Sequence, residues 1–135
     1  LRVANVLDPV SEDATAGYDA VIAADVLCYL GELLPAFERA RAHLAADGLF
    51  AFSVEALDPL LEDAETDTGL NDNWPPEGVD VALLPSLRYA HGLDGLLARS
   101  AETGFVLLDM SADVLRHDRG RPVIGYVMVF KLVNV

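Results

Sequence analysis

Residues 18–24 read Tyr18-Asp19-Ala20-Val21-Ile22-Ala23-Ala24, an unbroken apolar run behind a single acid. The run has the length of a strand. Its lack of polar alternation suits a strand covered on both faces, as in a parallel sheet. Working outward, Leu33, Phe37, Ala40 and Leu44 recur at helical spacing and mark residues 32–46 as a helix with one apolar stripe. Glu32 falls in its first turn, where the helix dipole favours an anion. Pro35 is tolerated there, because first-turn amides need no helical acceptor. Asp47-Gly48 ends the helix, with Gly48 free to adopt a left-handed conformation. Residues 49–54 read as a second buried strand. Residues 79–89 read as extended with a break at Pro85. Leu93, Leu96, Leu97 and Ala101 mark a second helix over 93–103, with Gly104 as its stop. Residues 105–110 form a third strand that can continue to Arg116. Asp118-Arg119-Gly120-Arg121-Pro122 is a turn, and residues 123–133 are a last strand.

Strands alternating with helices imply parallel pairing, each helix acting as a right-handed crossover. The short final connection permits only an antiparallel hairpin. The fold class expected is therefore α/β: a parallel sheet with helices on the faces and a C-terminal antiparallel hairpin.

Composition agrees with one packed domain over 1–135. Hydrophobic residues make up 53% of the 135 and charged residues 23%. A chain of this length can bury about two-thirds of its unfolded surface. The formal charge of −13 excludes the basic face that nucleic-acid phosphates require. It also opposes docking on anionic lipid, and no apolar run approaches the roughly 18 residues needed to span a bilayer. Cys28 is the only cysteine, which excludes an internal disulfide and a cysteine-rich zinc site. With no basic-then-apolar leader, a cytoplasmic protein is expected. The chain opens on Leu1, inside an apolar run, as a trimmed chain or the back half of something larger would.

The charge is uneven. Residues 42–87 contain ten acids and no Lys or Arg, whereas residues 88–135 contain five acids and six bases. Within the acidic block, 56–80 reads as a solvated loop, with at most one helical turn near Pro59 to Ala64. Its carboxylate spacing fits no calcium loop, and no metal site is expected.

Three motifs carry a resemblance. The first is Tyr18 to Ala24 with the Asp25-Val26-Leu27-Cys28-Tyr29-Leu30 loop after it. The second is His43-Leu44-Ala45-Ala46-Asp47-Gly48-Leu49-Phe50-Ala51-Phe52-Ser53. The third joins Arg88-Tyr89-Ala90-His91 with Leu115-Arg116, Arg119-Gly120 and Pro122-Val123. Together, over about residues 18–132, they resemble class I S-adenosylmethionine-dependent methyltransferases. The closest resemblance is to predicted methyltransferases that carry upstream tetratricopeptide repeats. The first two motifs look like that family's fourth strand, the helix after it and its fifth strand.

The resemblance implies S-adenosylmethionine as cofactor, with Asp25, Val26, Leu27 and Tyr29 at its edge. It places Glu55 and Arg88 against the methyl acceptor, and Tyr89 and His91 in the chemistry. Arginine can hold a carboxylate in a fork, and histidine exchanges a proton near neutral pH. Each residue also has a structural alternative. Asp25 can cap a loop, Arg88 can pair with the acidic loop, and His91 can close a helix start. Cys28 reads as a small packed side chain, since no base stands beside it.

The family holds its cofactor over a Gly-rich loop after the first strand and binds the ribose with an acid after the second. Neither precedes Tyr18, and residues 1–17 leave room only for a remnant of the third strand, Val3 to Leu7. The expectation is an acceptor-side half that binds the cofactor weakly or not at all when isolated. A partner could be an upstream cofactor-binding half or tetratricopeptide repeats. The alternative is a non-catalytic α/β module for association. In either case the 18–24 strand, central in the family, becomes an edge without Lys or Pro, and a homodimer through that edge is expected.

Overall fold

The computed structural model describes Val3, Asn5, Val6, residues 17–57 and residues 78–133. In chain order these form β1 (Tyr18–Ala23), a 3-10 turn (Leu27–Tyr29), α1 (Leu34–His43), β2 (Leu44–Ala56), β3 (Val81–Leu83), β4 (Tyr89–His91), α2 (Leu93–Glu102), β5 (Phe105–Asp118) and β6 (Arg121–Leu132). The expected helical turn near Pro59 and most of the acidic loop lie outside the described residues.

The sheet runs β3-β4-β2-β6-β5, with β1 also on β2. β6 pairs along one edge of β2 from Leu49 to Glu55, antiparallel. The other edge is shared end to end: β1 takes the first part of β2 and β4 takes Glu55 and Ala56, both parallel. β5 is antiparallel to β6, so it runs the same way as β2. The expected parallel strands and C-terminal antiparallel hairpin are observed, and β3, antiparallel to β4, adds a second reversed strand that was not expected. The hairpin turn holds Arg119 at φ 52° and Gly120 at φ 79°. Two successive positive φ values twist a two-residue connection to match its strands.

Boundaries differ from expectation at three places. α1 begins at Leu34 rather than Glu32, because Glu32 stands just outside and accepts the Leu34 amide on its carboxylate at 2.8 Å. α1 ends at His43 rather than Ala46, because Leu44 is already extended and pairs with Tyr18 of β1. The left-handed residue is Asp47, at φ 63°, and not Gly48. Gly48 serves close approach instead: a Cβ there would come within 2.9 Å of the Ala45 carbonyl and the Leu44 side chain. Beyond these boundaries, the stretch expected as extended over 79–89 is a hairpin from Val81 to His91, β3 against β4, broken around Pro85 as expected.

All five phenylalanines of the chain meet in one cluster. Phe37 of α1 sits at its centre, with ring centroids 5.4 Å from Phe50 and 5.7 Å from Phe52, Phe105 and Phe130, all edge-on. Edge-to-face contacts of this kind add to area burial. Leu96 of α2 joins the same core, so both described helices cover one face of the sheet. The other face carries Ile22, Val106 and Val127, all exposed. Among the described residues, no helix is long and apolar enough to cross a membrane, and no three His, Cys, Asp or Glu side chains group as a metal site.

Candidate active site

The parallel strands β1, β2, β4 and β5 bring their carboxyl ends to one edge of the sheet, where open α/β sheets bind ligands. Asp25 follows β1 there, with φ at 52°. This left-handed conformation is uncommon outside glycine, although Asp tolerates it. It is held by the Asp25 amide donating to Ser53 Oγ of β2 at 3.2 Å. The turn then drives Leu27 and Cys28 into the interior, while Val26 and Tyr29 stay exposed. Leu27, expected at the ligand edge, is instead part of the core, because the 3-10 turn points it at the helices.

Arg116 ties this edge together. Its Nη1 donates to Asp25 Oδ1 at 2.9 Å and its Nη2 donates to Glu55 Oε1. Glu55 is only 3% exposed, so its carboxylate depends on this charge-assisted bond. A bulge between Val114 and Arg116 and the absence of a side chain at Gly125 make the reach possible. Gly125 lies in register between Glu55 and Asp113. A Cβ there would come within 2.3 Å of the Val54 carbonyl and 2.2 Å of Leu115. Bulges commonly re-aim a side chain beside a site in this way. The Cys28 thiol also approaches Asp25, at 3.6 Å. Burial, and then the Asp25 charge, raise its pKa, which leaves a protonated thiol and not a nucleophile.

The Arg-Tyr-Ala-His segment divides between two roles. His91 is buried at the end of β4, and its Nε2 donates to the Leu30 carbonyl at 3.0 Å. A carbonyl only accepts, so Nε2 carries the proton. Burial pushes the His91 pKa down, opposed by hydrogen bonds to Leu30 and Leu27. The imidazole thus pins the turn after β1; it is not at the start of α2, whose cap is Gly92. Tyr89 is half-buried and its ring packs against Gly31, where a Cβ would be 3.1 Å away. Arg88 lies over the Tyr29 ring, 5.8 Å from its centroid. A side-chain hydrogen bond with Tyr29 raises its pKa.

The structure therefore brings Asp25, Val26, Tyr29 and Arg88 to one edge, and sets Leu27 and His91 behind it; Glu55, expected against the acceptor, is also buried and is held by Arg116. Sequence reasoning missed Arg116 and Ser53 as site residues. Arg116 had been singled out only within a motif, and the 91-residue separation from Asp25 leaves no local signal. Glu32, outside this edge, is held by Arg99 through two bonds of 2.8 and 3.2 Å.

No protein-family model and no curated protein matches the chain. Solved structures do. An S-adenosylmethionine-dependent methyltransferase from Methanosarcina mazei is 13% identical with a TM-score of 0.66, over 99% of this chain and 67% of that one. The 1,6-didemethyltoxoflavin-N1-methyltransferase of Burkholderia thailandensis, solved with S-adenosylhomocysteine, is 15% identical with a TM-score of 0.64, over 97% of this chain and 49% of that one. The cyclase SpnF is 13% identical with a TM-score of 0.63, over 99% of this chain and 56% of that one. The chain thus spans about half to two-thirds of the length of these proteins. At such identities the likeness is one of architecture, and reactions differ among proteins that share it. By that likeness, the chain has the mixed α/β sheet of the S-adenosylmethionine-dependent methyltransferase fold.

Proposed function

We propose that this chain forms the acceptor-binding side of an S-adenosylmethionine-dependent methyltransferase. The observation that carries the reading is the charged edge built by Asp25, Glu55 and Arg116 at the carboxyl ends of parallel strands in a fold shared with such enzymes. The chemistry of the donor set limits what the described residues offer the cofactor. The Asp25 amide is committed to Ser53 and its carboxylate to Arg116. Val26 and Tyr29 present apolar surface. These can border a bound cofactor but do not cradle its methionine and ribose, so the fit is partial and no chemical step is assigned through it. Methyl transfer asks a protein chiefly to position donor and acceptor. Arg116 and the Asp25 loop would provide a rigid floor for the acceptor, with Tyr89 and Arg88 at its side. The Arg88-Tyr89-Ala90-His91 segment supports a place near methyltransferases with tetratricopeptide repeats.

Calorimetry with S-adenosylhomocysteine tests the reading, on this chain and on the product of the longest reading frame that encodes it. The chain alone should bind more weakly than about 1 mM, and the longer product at about 1–100 µM. Micromolar binding by the chain alone would overturn the acceptor-side assignment. No binding by the longer product would overturn the methyltransferase reading.

One observation favours a second reading, an association module. Among the described residues β1 pairs with β2 alone, and Tyr18 and Ile22 are 53% and 74% exposed. An open apolar edge invites another strand, and a homodimer through residues 18–24 would close it. This reading is of a non-catalytic module, and S-adenosylhomocysteine binding by the longer product would count against it.

A further inference from the structure

Arg88 is delivered by a strained turn. Leu87 donates its amide to the Leu84 carbonyl at 2.9 Å, and the Leu84 amide donates to the Arg88 carbonyl at 2.8 Å. Leu87 sits at φ 64°, where glycine or asparagine is the usual residue of such a hairpin. A bulky residue in this region is an outlier, and such outliers cluster at ligand sites. Burial does not explain it, because the Leu87 side chain is 75% exposed.

What the turn presents is an arginine that bonds Tyr29 and has no ion-pair partner among the described residues. Arg99 holds Glu32, and Arg116 holds both Asp25 and Glu55. No carboxylate among the described residues pairs with Arg88. Its Nε is sealed from solvent with no hydrogen-bond acceptor, an arrangement that costs free energy until an acceptor arrives. Asp25, a carboxylate whose charge reaches Arg88, already spends its Oδ1 on Arg116. The guanidinium lies over the Tyr29 ring, 5.8 Å from its centroid, and a planar fork matches a carboxylate. Exposed Val26 and Tyr29 border it with apolar surface.

We infer that Arg88, backed by Tyr29, receives the carboxylate of a small organic acid with an apolar body, and that the methyl acceptor belongs to this class. The second clause rests on the acceptor-side reading above; the binding site does not.

The test is a titration of the isotope-labelled chain with benzoate, and separately with its neutral analogue benzamide, followed by NMR at the Arg88 Nε–H and Tyr29 signals. No cofactor is present, so the outcome is independent of methyltransferase activity. Benzoate should shift both signals saturably and benzamide should not. Arg88→Met should weaken benzoate binding by about 10–100-fold, and Arg88→Lys, which keeps the charge but not the fork, should recover part of it. A melting curve on each variant establishes that it is folded. Equal binding of benzamide, unchanged benzoate affinity in Arg88→Met, or no shift at these signals at about 10 mM benzoate would each overturn the inference.

Discussion

Arg116, near the end of β5, binds the carboxylate of Glu55 in the middle of the sheet, 61 residues away in sequence, and Glu55 is almost wholly buried. One guanidinium therefore neutralises an interior charge and at the same time fixes the exposed Asp25 loop. Removing one partner of a buried pair leaves the other uncompensated, so Arg116→Met should destabilise the fold by about 3–5 kcal/mol. Adding Glu55→Gln should recover a large part of that loss. Urea unfolding of the single and double variants checks it; additive losses would show that the two side chains do not act as a pair.

The phenylalanine cluster predicts where the core is least tolerant. Phe37 touches four other rings from the helix side. Phe37→Ala should cost about 3–5 kcal/mol, measured by the same unfolding curves. A loss below 1 kcal/mol, the range of a half-exposed site, would contradict the packing described.

His91 sets a pH dependence. Burial lowers its pKa in the folded chain below the ordinary 6.5. The unfolded chain therefore binds its proton first as pH falls. The contribution is fully present above the unfolded pKa and is lost as pH drops through the folded one, at up to about 1.4 kcal/mol per pH unit. His91→Asn should flatten this part of the stability profile between pH 7 and 5. In an active longer protein, His91→Ala should lower stability while leaving turnover per folded molecule nearly intact. A fall in turnover of about 10²–10⁴ would instead mark a general base.

The edge of β1, open among the described residues, predicts self-association. Light scattering at about 100 µM, well above the affinity of an ordinary interface, should report a dimer. Ile22→Lys, which places a charge on that edge, should return a monomer of unchanged stability. A monomer before substitution would contradict the proposed pairing.

The sequence made some of this legible and hid the rest for physical reasons. An apolar run and a helical stripe are local, so β1, α1 and α2 were readable, as was the reversed last strand, which follows from a connection too short to cross over. Helix ends were not: whether Leu44 to Ala46 continue α1 or enter β2 is decided by Tyr18, through pairing across the sheet. The same holds for Asp47 and Gly48, whose conformations are set by close packing and not by residue preference. At the site, Asp25, Glu55 and Arg88 stand out in the sequence as acids and bases at strand ends, but nothing local shows that Glu55 is buried against Arg116. Leu27 was misplaced because periodicity does not say which way a single 3-10 turn faces. Arg116 escaped because its partners lie on β2 and in the turn after β1, far away in sequence.

In the proposed acceptor-binding side, the carboxyl edge from Asp25 to Tyr29 would border a bound cofactor. The most direct measurement is a crystal of the longest reading-frame product soaked with S-adenosylhomocysteine. The account predicts cofactor density against Asp25, Val26 and Tyr29, with Arg88 on the acceptor side. Density placed away from this edge, or no density at saturating ligand, would contradict it.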